Sequence, residues 1–124
     1  MTQFRMKGIA NYIQYQCDLN AAKGAIGLLA NHVKNFKIGK TGKTKEERFS
    51  ESDYNGVYDD IDVVYTSQDS DFVSRMEADL IEEFQDNPKC DNIRTTDKDE
   101  MSESDKYSVY VVWIVEYSFA AQSQ

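Results

Sequence analysis

The segment from Tyr107 to Phe119 constrains the fold most strongly, because apolar residues occupy every second position along it. Tyr107, Val109, Val111, Trp113, Val115, Tyr117 and Phe119 share one face, while Tyr110, Val112 and Ile114 fill the middle of the other between Ser108, Glu116 and Ser118. Alternation of this length predicts a long β-strand, and apolar residues on both sides of its centre predict cover on both faces. A strand of that kind needs a sheet around it. Ile61 to Thr66 has the same β-branched and aromatic character and follows the turn-rich stretch Ser52-Asp53-Tyr54-Asn55-Gly56, so it is read as a second, shorter strand. Asn11 to Cys17, where Ile13, Tyr15 and Cys17 alternate with Tyr12, Gln14 and Gln16, is read as an edge strand.

A helix is predicted between these strands. Val73, Met76, Leu80, Ile81 and Phe84 recur at about 100° per residue from Asp71 to Gln85. Ser70 or Asp71 is the expected cap, and Asn87-Pro88 the stop. Asp91 to Lys106 is polar and acidic and is expected to be a solvated loop. Ala21 to Gly39 fits two patterns. Ala22, Ile26, Leu29 and Val33 have helical spacing, but Gly24 and Gly27 each weaken a helix by about 1 kcal/mol, which favours a hairpin over Ala25 to Gly39. At 124 residues without internal repeats, the chain is expected to be a single α+β domain, a small, mostly antiparallel central sheet flanked by helices.

Charge is unevenly spread. Residues 1–48 hold nine Lys or Arg against three acids, a balance of +6, and the remainder holds five against nineteen, a balance of −14, which together make the net −8. The basic end suits an anionic partner, and the acidic half suits a basic protein surface. No apolar run approaches the ~20 residues of a membrane span, and Met1 to Lys7 has no apolar stretch of the secretory kind behind it, so a cytoplasmic location is expected. Cys17 and Cys90 stand far apart with His32 as the one imidazole, which leaves no zinc-type cluster and favours two reduced thiols.

Two local features point to chemistry. Glu77 falls inside the apolar stripe of the predicted helix, whereas Asp79, Glu82 and Glu83 face away. A carboxylate aimed at a core is costly unless a cation, hydrogen-bond donors or a metal satisfies it; the alternative is that Glu77 sits at the margin of the stripe and reaches water. The second feature is Phe36-Lys37-Ile38-Gly39-Lys40-Thr41-Gly42-Lys43, followed by Lys45 and Arg48. A strand ending at Gly39, then a turn and a short helix bearing Arg48, would gather cations and backbone amides where phosphate can bind, although the same lysines could simply keep a turn soluble. The spacing is not that of a P-loop, because Lys37 occupies the place of its first glycine.

In this order and spacing, Lys37-Ile38-Gly39-Lys40-Thr41, Arg48, the strand from Ile61 to Thr66 and Glu77-Ala78-Asp79-Leu80-Ile81 resemble the GIY-YIG nuclease domain, with lysine in place of the second-motif tyrosine. The resemblance covers residues 24–92, with the strands 11–17 and 107–119 as additions. It implies hydrolysis of DNA phosphodiesters with Mg²⁺ or Mn²⁺ bound by Glu77 and the scissile phosphate held by Arg48. It implies further that Tyr12 or Tyr54, or Lys37 in their stead, handles the attacking water, that Lys34, Lys40, Lys43 and Lys45 contact flanking phosphates, and that Asn92 is the asparagine beyond the glutamate's helix, with Asn87 as competitor. Gly24-Ala25-Ile26 has the separation of a first motif but lacks its tyrosine; Tyr12 or Tyr15 would supply one in another register. The gap admits a second expectation, a catalytically degenerate relative that acts as an acidic protein-binding or DNA-mimicking module.

Overall fold

The computed structural model of the protein describes residues 2–93 and 101–116, with side chains from residue 8 onward. The elements run α1 (Thr2–Ala30), β1 (Val33–Thr41), α2 (Lys45–Phe49), β2 (Asp60–Ser67), α3 (Ser70–Phe84) and β3 (Tyr107–Val115). β3 is the centre of a three-stranded antiparallel sheet in the order β1-β3-β2, an α+β fold as its alternation predicts. Tyr117 to Phe119, the end of the predicted strand, lie outside the described residues.

Both faces of β3 are covered. Tyr107, Val109 and Val111 pack with Phe36 and Ile38 of β1 under α1 and α3, against Tyr15, Leu19, Ile26, Val73, Met76, Leu80 and Ile81. On the opposite face Tyr110 and Val112 join Ile61 and Tyr54, with Phe49 and Tyr58 packed alongside. The second layer is therefore made by α2 and the turns that follow it. Among the described residues no helix is long and apolar enough to cross a membrane.

The N-terminal third departs from the sequence reading. Residues 11–17 are not an edge strand and residues 25–39 are not a hairpin, because α1 runs unbroken to Ala30. The buried positions Tyr15, Leu19, Ala22, Ile26 and Ala30 recur every three or four residues, whereas Tyr12 and Ile13 are exposed. That stripe packs on the sheet and α3, and tertiary burial outweighs the ~1 kcal/mol cost of each glycine. Gly24 is exposed, with nothing near its missing side chain. The remaining elements lie close to expectation. The cap of α3 is Asp69, whose side chain accepts from the Asp71 amide, rather than Ser70 or Asp71. Of the acidic stretch 91–106, residues 91–93 and 101–106 form no helix or strand, and 94–100 lie outside the described residues.

The outer edge of β1 is closed by the chain beyond α3. Phe36 N–H donates to Lys89 O at 2.9 Å and Phe36 O accepts from Asp91 N at 2.8 Å. Asn92 then continues the ladder with its side chain, accepting from Ile38 N at 2.8 Å and donating to Ile38 O at 2.9 Å. Asn92 thus serves as a clamp on the Lys37-Ile38-Gly39 strand. Its replacement by alanine exposes both Ile38 backbone groups and is expected to cost about 1–2 kcal/mol, measured as a lower urea midpoint at unchanged slope.

Candidate phosphate-binding site

Gly39 and Lys40, adjacent on β1, divide the candidate residues between the two faces of the sheet. On one face Gly39 pairs with Tyr110 of β3, and the Tyr110 ring fills the space where a side chain on Gly39 would stand, its Cε1 only 2.8 Å from that position. Glycine here is a requirement of that close approach. The Tyr110 hydroxyl meets the Tyr54 hydroxyl at 2.6 Å. The turn carrying Tyr54 follows α2, whose start is fixed by a reciprocal cap between Thr44 and Glu47. One turn into that helix, Arg48 lays its guanidinium on the Tyr54 ring, Cζ 4.0 Å from the centroid, and Lys37 Nζ lies 5.8 Å from the same ring.

On the other face Lys40 points toward α3. Its Nζ donates to Ser74 Oγ at 3.3 Å and sits 3.8 Å from Glu77 Oε1. Glu77 is 3% exposed, so the wheel position inside the apolar stripe corresponds to real burial and not to a margin open to water. A cation beside it is what such a carboxylate needs. Lys40 also lines a cleft of about 420 Å³ together with Lys43 and Arg48, Glu47 and Glu51, and the segment Met101 to Ser104. Glu77 does not line that cleft.

The electrostatics follow the contacts. Hydrogen bonding to Asp53 strengthens the proton affinity of Arg48, and the same bonds hold the Asp53 carboxyl below its usual range. Lys43 chiefly does the same for Glu51. Burial pushes both tyrosines up; for Tyr54 the Tyr110 hydrogen bond and the Arg48 charge oppose it, while Asp53 and Glu77 add to it. Tyr110 is raised by burial and then by Tyr54. Both hydroxyls therefore stay protonated at neutral pH and can orient an oxygen by hydrogen bonding, but neither is a ready base.

Of the residues singled out in the sequence, Arg48, Tyr54 and Lys37 come together on one face and Lys40 with Glu77 on the other. Lys43 pairs with Glu51 and Lys45 with Asp62 at 3.5 Å, both near α2. Lys34 is exposed six residues before Lys40, about 20 Å away along the strand. Tyr12 is exposed on α1 and shares none of the contacts that join Arg48, Tyr54 and Tyr110. Tyr15 bonds Asp79 at 2.6 Å in the α1–α3 interface. Tyr110 was missed by sequence reasoning; its signal was a tyrosine in the middle of the second face of the central strand.

Glu77 is the carboxylate that the resemblance offers to a metal. Among the described residues no three of His, Cys, Asp and Glu gather as a ligand set. A single hard oxygen donor does not suit Zn²⁺, and it meets an ion that keeps its own waters, such as Mg²⁺, only if Lys40 leaves, because the Glu77 carboxylate is buried against Lys40 Nζ. The chain matches no family model, and no curated protein or solved structure is similar enough to it to count as a match.

Proposed function

We propose that the protein is a metal-dependent nuclease of GIY-YIG type in which the C-terminal strand provides the tyrosine-bearing partner of Lys37-Ile38-Gly39. The observation that carries this reading is the pairing of β1 with β3. Ser108-Val109-Tyr110 lies antiparallel to Gly39-Lys40-Thr41, with Tyr110 opposite Gly39 and its hydroxyl on Tyr54 beside Arg48. The tyrosine sought before Lys37 in the sequence thus enters from 71 positions after Gly39, and the long strand becomes part of the site.

The chain's own residues then divide the work. Arg48 presents in-plane N–H groups to two phosphate oxygens and neutralises charge that grows on them as the nucleophile attacks. Tyr54, its hydroxyl oriented by that of the buried Tyr110, would hold a reacting oxygen by a hydrogen bond once the turn that carries it opens. Lys43, exposed on the cleft wall, and Lys40, once its ammonium leaves Ser74 and Glu77, receive flanking phosphates, so binding should weaken steeply with salt. Glu77 lies on the α3 side of β1 from Arg48, near enough for its charge to be felt at Tyr54; it would hold Mg²⁺ or Mn²⁺ once Lys40 moves aside, and the ion would supply stabilisation of charge on the leaving oxygen. Replacing Tyr110 with phenylalanine keeps the packing over Gly39 and removes the hydroxyl. Plasmid nicking in Mn²⁺ should slow about tenfold or more, with thermal stability within a few degrees of the parent; unchanged nicking would remove Tyr110 from the site.

A binding-only reading is favoured by one observation, the pairing of Arg48 with Asp53 and Glu51 from within the chain. In that version the acidic half would engage a basic protein, and no metal would elicit nicking.

A further inference from the structure

The seat for an oxyanion on Arg48 is filled from within the chain. Nη1 and Nη2 donate to the two Asp53 carboxylate oxygens at 2.8 and 2.9 Å, and Nη1 also donates to Glu51 at 2.7 Å. One face of the guanidinium is closed by the Tyr54 ring. The Arg48 side chain is 18% exposed and that of Asp53 55%, so the carboxylate that caps the guanidinium is itself open to solvent and to exchange. A phosphodiester binds arginine through the same two-pronged geometry, with two oxygens on two in-plane N–H groups. Both anions cannot occupy that fork together.

We infer that Asp53 occupies the seat of the substrate phosphate, so that phosphodiester binding at Arg48 is an exchange of one oxyanion for another. The inference deepens the nuclease reading and takes from it only the identity of the incoming anion. Held by Arg48, Asp53 remains charged at neutral pH and keeps the seat in the absence of nucleic acid. Because Asp53 immediately precedes Tyr54, release of the carboxylate also frees the turn that carries the tyrosine hydroxyl. The exchange suppresses weak binding of stray anions, because only a ligand with further contacts, such as those to Lys40 and Lys43, outcompetes an intramolecular carboxylate.

The test is fluorescence anisotropy of the full chain with a labelled duplex of about 20 base pairs in EDTA, where binding is read without cleavage. Asp53→Asn and Asp53→Ala should each bind about five- to tenfold more tightly than the parent, and Glu82→Gln, which removes one exposed acid from α3, should stay within about twofold. In an Arg48→Ala background, Asp53→Asn should bring no gain. Parent-like affinity of both Asp53 variants, or an equal gain with and without Arg48, overturns the inference. Loss of binding in Arg48→Ala alongside parent-like Asp53 variants would overturn it alone and spare the nuclease reading. Parent-like binding by Arg48→Ala would sink both.

Discussion

Valine at position 39 should destabilise the domain by about 3 kcal/mol or more, lowering the melting temperature by about 10 °C. A Cβ there overlaps the Tyr110 ring and hydroxyl, and Tyr110 is 1% exposed, fixed by the sheet on one side and by the Tyr54 hydroxyl on the other. It has nowhere to turn. Alanine should cost less, and its cost should shrink when Tyr110 is itself replaced by alanine, a non-additivity that marks direct contact. A Gly39→Ala protein as stable as the parent would contradict the close approach on which the site is built.

Removing the Arg48 guanidinium should have the largest functional effect. Arg48→Ala is expected to lower the rate of phosphodiester cleavage about 10²- to 10³-fold, the usual loss when a positioned charge is deleted from a transition-state site. Loss of the stacked side chain also unpacks Tyr54, so a modest fall in stability accompanies it. Arg48→Lys keeps charge but loses the fork, and should recover little of the rate.

The parts of the fold that were readable in the sequence owe this to dense patterns. β3 carries apolar residues on both faces and is buried at every position from Tyr107 to Val112, and α3 buries Val73, Met76, Glu77, Leu80 and Ile81 at helical spacing. α1 was misread because its buried stripe is sparse and partly alanine, while Ile9, Tyr12, Ile13 and Leu28 are exposed and blur the period. Local alternation from residue 11 to 17 imitated a strand where only Tyr15 is buried. Glu77 and Lys40 were legible singly, as an acid in an apolar stripe and a cation after a strand glycine. Their ion pair was not, because it depends on how α3 lies across β1. Tyr110 needed the β1–β3 register, a relation between residues 39 and 110 that no local pattern encodes.

The most direct test of a nuclease site at Arg48 and Glu77 is conversion of supercoiled plasmid to open circles in Mg²⁺ or Mn²⁺ by the parent, Arg48→Ala and Glu77→Gln, each checked for folding by thermal melting. The parent should nick and EDTA should stop it, while both variants stay folded and slow by about 10²-fold or more. Plasmid left intact by the folded parent in both metals, or cut equally well by Glu77→Gln, would contradict the account.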